Sequence, residues 1–241
     1  EPPDMDEIVR TANEFSIPVV VDAAPALGAT YKNAPVGNAG ADLTVYSFNG
    51  NKTVTTGGGG AVVGEQSELL DKVYHLSTTA RTGRDYDHDE IGYNYRMTNL
   101  QAAVGCAQLE RLDEFVQSKR SVREQYNSAI DNLDGIEAFP QVGWGEGTAW
   151  LSGFTLTPSS TSSAAEYCDL LRQQKIDARP IWKPSHLQNP YAAALCAPLA
   201  VTETVWRNIV TLPSSVGITG EELENVLAAL SHVTKTLNQG G

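Results

Sequence analysis

Cationic side chains are scarce in this chain. It has 17 Lys and Arg against 29 Asp and Glu, for a net charge of −12. So acidic a surface argues against nucleic acid or an anionic membrane as a partner, although a local basic pocket can still take an anionic ligand. Cysteine is scarce too. Cys106, Cys168 and Cys196 are odd in number, widely spaced and form no C-x-x-C pair. They argue against a disulfide framework and predict reduced, mostly buried thiols in a cytoplasmic protein. The four histidines, His75, His88, His186 and His232, show no metal-ligand spacing, so no metal is expected. No apolar run reaches the length of a membrane span, and no signal peptide is recognisable. An initiator Met is also missing. The chain starts Glu1-Pro2-Pro3-Asp4 and passes directly into a helical pattern from Met5 to Phe15, as the middle of a longer protein would.

What is present reads as an ordinary globular chain. Its 241 residues are 41% hydrophobic, enough for one large domain or two small ones. Strands are expected at 17–22, 42–47 and 60–64, with a helix over 67–76 and a long polar loop over 78–95. Thr98-x-x-Gln101 is a capping-box signature. It opens a helical stretch reaching Ile130, with a break near Ser118. Its apolar positions, Leu100, Ala103, Val104, Ala107, Leu112 and Val116, suit a core or a dimer interface. Beyond about 132 the pattern changes, with strand 149–157, a helix capped by Ser163-x-x-Glu166, and an extended segment 176–182. A final helix is capped by Thr219-x-x-Glu222 and carries the stripe Leu223, Val226, Leu227, Leu230, Val233 and Leu237. The tail 238–241 is expected to fray. Strands alternating with helices imply an α/β sheet with function at the strand ends.

Two of those strands end on reactive side chains. The run Ile17-Pro18-Val19-Val20-Val21 delivers Asp22, and the strand ending at Ser47 leads through Phe48-Asn49-Gly50-Asn51 to Lys52 and then to Gly57–Gly60. A lysine amine can hold an aldehyde cofactor as a Schiff base. A carboxylate can keep a pyridinium nitrogen protonated so that the ring acts as an electron sink. A serine hydroxyl and nearby backbone N–H groups can hold a phosphate. These are the needs of a pyridoxal phosphate site. The competing plain readings are a surface lysine, a capping aspartate, a turn-forming serine and a flexible glycine turn. A nucleotide P-loop does not fit, because the order G-x-x-x-x-G-K-[ST] is reversed here.

Five motifs in order resemble the DegT/StrS family of pyridoxal phosphate-dependent sugar aminotransferases. They are Asp22-Ala23-Ala24-x-Ala26, Ser47-Phe48-Asn49-Gly50-Asn51-Lys52, Thr55-Thr56-Gly57-Gly58-Gly59-Gly60, Gly92-Tyr93-Asn94-Tyr95-Arg96-Met97, and the segment from Arg179 to Gln188. The wording is most similar to the branch that aminates UDP-linked 4-keto-6-deoxy sugars for surface glycans. The resemblance implies an α/β fold, pyridoxal phosphate-dependent transferase fold type I. Residues 1–118 would be the C-terminal part of a large cofactor-binding domain whose sheet is incomplete. Residues 119–241 would hold a bridging helix and a smaller α+β domain.

The resemblance also implies roles. Lys52 would be the Schiff-base lysine and proton shuttle, Asp22 the pyridinium partner, Ala24 a contact to one ring face, and Ser47 a phosphate ligand. Asn94 would reach the phosphate across a homodimer interface. His186 and Arg96 would lie on the substrate side, taking an amino-acid donor and a nucleotide sugar. The family's usual polar residue three positions after the aspartate is replaced by Pro25, which has neither a polar side chain nor an N–H. The N-terminal third of a typical member is expected to be absent. The rival expectation is a truncated, catalytically silent homologue that persists as a dimerisation or binding remnant. Retention of Lys52 argues against the dehydratases of the family, which replace it.

Overall fold

The computed structural model describes residues 1–239; the fraying expected for Gly240 and Gly241 lies outside them. In chain order the elements begin α1 (Met5–Glu14), β1 (Val20–Asp22), β2 (Thr30–Tyr31), β3 (Ala34–Pro35), β4 (Leu43–Ser47), β5 (Gly60–Val63) and α2 (Ser67–Ser77). A ribbon β6 (Arg81–Thr82) and β7 (Asp87–His88) follows, then α3 (Asn99–Leu109), α4 (Leu112–Ile130), β8 (Ile136–Ala138) and β9 (Gly145–Glu146). The chain closes with β10 (Ser152–Leu156), α5 (Ala164–Gln173), β11 (Arg179–Pro180), α6 (Ala200–Val205), β12 (Ile209–Leu212) and α7 (Gly220–Gln239). Two compact units result. The first is Glu1–Gln117 with Gln141–Trp150; the second is Ser118–Pro140 with the chain from Leu151 onward.

The first unit is built on a sheet of order β1-β4-β5. β1 runs parallel to β4, with Asp22 opposite Val45. β5 returns antiparallel, with Ser47 opposite Gly60. β1 is shorter than the expected 17–22 for a local reason. The Ile17 N–H is drawn back to Ala12 O at the end of α1, and Pro18 has no N–H to offer. The glycine run makes the return to β5 possible. Gly57 and Gly59 sit at φ +76° and +92°, and a Cβ at Gly60 would come within 2.4 Å of the Tyr46 carbonyl oxygen. The long loop after α2 is not structureless. It folds back so that Thr78 pairs with Asn94, and Tyr93 N donates to Leu76 O at 2.7 Å.

The Thr98–Gln101 capping box forms as read, but the helical stretch breaks at Glu110–Arg111 rather than near Ser118. At that point the Arg111 N–H turns to Gln108 O, three residues back, and Phe115 N bonds Arg111 O to start α4. Ser118 stays helical, and its hydroxyl donates to Val216 O at 3.1 Å. The apolar positions split: Val116 is buried, whereas Leu100 is 82% and Val104 49% exposed.

The second unit is an antiparallel sheet of order β11-β12-β10-β8 covered by helices. Its core gathers Tyr126, Ile130, Phe154, Tyr167, Leu171, Val210, Leu230 and Val233, none more than 2% exposed. Phe154 meets Tyr167 edge-on, ring centroids 5.1 Å apart. The caps on α5 and α7 are as the sequence predicts: Ser163 with Glu166 and Thr219 with Glu222. On α7, Leu223, Val226, Leu230 and Val233 are buried, and Leu227 and Leu237 pack partly.

Four expectations need correction. Strand 149–157 begins only at Ser152, because Ala149 takes φ +52°, which no strand accommodates. The extended segment 176–182 contributes only Arg179–Pro180 to the sheet, since the Ala178 N–H turns to Ile176 O. Asn238 and Gln239 do not fray; Asn238 Nδ2 donates to Asp134 O at 2.9 Å and holds the end of α7. Of the thiols only Cys168 is buried. Cys106 lies on α3, where only Gly105 is buried, and Cys196 lies in an irregular, exposed stretch.

Candidate active site

Because β1 and β4 are adjacent and parallel, their C-terminal ends lie side by side, and both ends carry chemistry. Asp22 is the last residue of β1, and Ser47 is the last of β4. The loop that follows is pinned on Phe48: its N–H donates to Gly59 O at 2.9 Å, and its carbonyl accepts from Thr56 N at 2.9 Å and Thr55 Oγ1 at 3.2 Å. Phe48, Thr53, Val54 and Thr56 are buried, so the loop is anchored on both sides of Lys52. Lys52 N in turn donates to Asn49 O at 3.0 Å.

Lys52 is half-buried. Burial pushes its ammonium below the ordinary lysine range, and the charge of Asp22 partly opposes this. Among the described residues the two groups form no ion pair, so the carboxylate acts on the amine without touching it. Asp22 Oδ1 accepts from Ala24 N at 3.0 Å, which fixes the carboxylate against the turn after β1. Its second oxygen takes no partner among the described residues. Ser47 Oγ accepts from Asn49 N at 3.2 Å, which leaves the hydroxyl hydrogen to donate. Ala24 is half-buried. Pro25 offers a carbonyl, which accepts from Thr148 Oγ1 at 3.0 Å.

The remaining predicted residues sit elsewhere. Asn94 is exposed in the folded-back loop, its backbone paired with Thr78. Arg96 is exposed and lies over the Tyr74 ring, 4.6 Å from its centroid. His186 belongs to the second unit, where its Nε2 is 3.2 Å from Glu203 Oε1. A cleft of about 780 Å³ in the second unit is lined by Asp177, Pro213, Glu222, Val226 and His232 among others. It contains none of the predicted site residues. His75 Nε2 lies 2.6 Å from Asp89 Oδ1 with Glu90 beside them. Lys72 pairs with Glu90, so the group reads as surface ion pairs.

One neighbour of the amine has no signature in the sequence around Lys52. The Trp150 ring faces Lys52, with Nζ 3.9 Å from the ring centroid, and its indole N–H donates to Asn51 O at 2.7 Å. Nearly a hundred residues separate the two, and no local pattern links them. The glycines at 143, 145 and 147 were the only local hint that the chain turns there.

The profile of the DegT/DnrJ/EryC1/StrS aminotransferase family matches residues 1–231. The chain belongs to this family. EpsN of Bacillus subtilis (strain 168) is 37% identical over 238 residues, covering 97% of this chain and 61% of its own length. The GDP-perosamine synthase of Caulobacter vibrioides is 34% identical over 232 residues, covering 95% of this chain and 62% of its own. The solved structure of Helicobacter pylori PseC, an aminotransferase involved in the biosynthesis of pseudoaminic acid, superposes with a TM-score of 0.91 at 22% identity. It covers 98% of this chain and 64% of PseC. The chain thus spans less than two thirds of the length of these relatives. Its fold is the aminotransferase fold type I that the family resemblance implied.

The residues present fit pyridoxal phosphate. Lys52 offers a buried-shifted amine outside ion-pair contact, Asp22 an unengaged carboxylate oxygen in its field, and Ser47 a hydroxyl free to donate. An aldehyde-capturing amine, a pyridinium partner and a phosphate donor are the groups that cofactor needs.

Proposed function

We propose that this chain acts as a pyridoxal phosphate-dependent aminotransferase that moves an amino group from glutamate to a nucleotide-linked 4-keto-6-deoxy sugar, in cytoplasmic synthesis of surface glycans. The observation that carries this reading is the Lys52 amine, partly buried after β4 and in the field of Asp22 at the end of the parallel neighbour β1. The relatives' names support the substrate class, one being a GDP-perosamine synthase.

Bound there, the cofactor supplies an aldehyde that captures amines and a ring that stores the electron pair released with a substrate proton. Lys52 would hold the cofactor and then carry the proton at Nζ. The downward push on its ammonium raises the neutral fraction that such a base needs. Asp22 would hold the ring nitrogen protonated, Ala24 would lie against the ring, and Ser47 would donate to the phosphate. Pro25 cannot donate to the ring, so tuning falls to Lys52 and Asp22. His186 and Arg96 would serve the substrates.

The active form would be a homodimer in which Asn94 of one chain serves the cofactor of the other. The folded-back loop and α3 support this. Tyr86, Ile91, Tyr95 and Leu100 are each more than three-quarters exposed there, an apolar surface that a monomer rarely leaves open.

The test is turnover. Purified protein with pyridoxal phosphate, glutamate and a GDP- or UDP-4-keto-6-deoxy sugar should yield 2-oxoglutarate and the amino sugar in equal amounts. Folded, cofactor-loaded protein that forms neither product from either nucleotide would reject the reading.

A further inference from the structure

We propose that Trp150 is a positioning residue for Lys52, holding the amine against its indole face and anchoring the loop that carries it. This deepens the proposed function and rests on it for its catalytic meaning, but the contact itself is independent of any cofactor. Three observations converge. The amine lies 3.9 Å from the ring centroid, inside cation–π range. The indole N–H donates to the carbonyl of Asn51, the residue before Lys52, at 2.7 Å. The preceding Ala149 is 1% exposed and held at φ +52°, a conformation costly for a residue with a side chain and kept only where its surroundings enforce it.

The short segment 147–150 therefore works as a strap across both strand ends. Gly147 N donates to Glu1 Oε2 at 3.2 Å, and Thr148 Oγ1 ties the Asp22–Pro25 turn through Pro25 O. Trp150 then ties the Lys52 loop through Asn51 O. The carboxylate-bearing and amine-bearing loops are fastened to one four-residue segment, and Ala149 supplies the backbone kink between the two ties. The ring does two opposing things to Lys52: it removes water, and its negative face favours the ammonium. Asp22 is the charged group acting on that amine, so a shift on altering the ring, with Asp22 intact, reads the ring itself.

The test uses cofactor-free protein and an amine reagent, trinitrobenzenesulfonate. Lys52 labelling is followed by peptide mass mapping across pH, with thermal melting recorded in parallel. Trp150→Leu keeps apolar cover but loses the ring face. It should lower the pH midpoint of Lys52 labelling by about half a unit. Trp150→Phe keeps a face and should stay close to the parent. Fluorinated tryptophan at position 150 weakens the face at nearly constant shape and should shift the midpoint the same way as Leu, which covers the case of a Leu variant that does not fold. Unchanged midpoints with fluorinated tryptophan and with a folded Leu variant would overturn the proposal. Borohydride trapping with pyridoxal phosphate on the same proteins separates the two ideas. A moved midpoint without any Lys52 adduct would uphold the strap and sink the proposed function, whereas an adduct with unmoved midpoints would do the reverse.

Discussion

The two units spend their hydrophobic residues differently. The second closes its own core. A continuous buried cluster runs from Val122 to Val233 and joins the second half of α4, the sheet β11-β12-β10-β8, α5 and α7. The second unit's exposed apolar side chains, Leu195 and Val201 among them, lie outside that cluster, whereas the first unit exposes them in and beside its sheet. Val20, in the edge strand β1, is 62% exposed, and Phe15 and Ile17 just before it are 69% and 58% exposed. Yet the first unit carries the lysine, the carboxylate and the strap. The large buried cluster lies in one unit and the proposed cofactor-holding residues in the other, and mutations should separate them.

The largest effect should come from Lys52→Ala. Amination should fall by at least about a hundredfold, the low end for losing a proton-transfer group, with the melting temperature nearly unchanged. A comparable loss of stability would erase the contrast. In the second unit Leu230 is 0% exposed, and Leu230→Ala should cost about 2–5 kcal/mol in urea unfolding. Val20→Ala in the first unit should stay within about 0.5 kcal/mol. Equal costs would show that the exposed strand is covered in solution.

A pH test sharpens the same contrast. Lys119, on α4 in the second unit, is 5% exposed and donates to Ser214 O; burial pushes its ammonium down from 10.5 to about 8. A depressed folded value means that the unfolded chain binds the proton more tightly. Stability should therefore be fully present above about pH 10.5 and be lost as pH falls through 8. The ceiling is on the order of 3 kcal/mol, at about 1.4 kcal/mol per pH unit. Lys119→Met should flatten that slope in the unfolding free energy between pH 8 and 10. The smallest effect belongs to the caps. Thr219→Ala on α7 should cost about 1 kcal/mol, read by urea unfolding, because Thr219 Oγ1 accepts from Glu222 N.

What was legible in the sequence follows from range. The capping boxes at Thr98, Ser163 and Thr219 are three-residue events, and all three form. Asp22 and Ser47 could be placed because apolar runs end on them, and adjacency of β1 and β4 brings them together. The helix break at Glu110–Arg111, the irregular Ala149 and the seating of Trp150 on Lys52 depend on contacts between distant segments or on one dihedral angle. A single sequence does not display these. The exposed face of α3 shows the same limit from the other side: Leu100 and Val104 share the helical spacing of buried residues and are not buried.

The most direct test of the central claim is borohydride reduction of the protein loaded with pyridoxal phosphate, followed by peptide mass mapping of every lysine. Lys119 is a built-in control, since burial also pushes its ammonium down but it lies on α4 in the second unit, away in sequence from the strand ends that carry Asp22 and Ser47. The account predicts one adduct, on Lys52, with Lys119 unmodified. An adduct on Lys119 or any other lysine, with Lys52 untouched in cofactor-loaded protein, would contradict it.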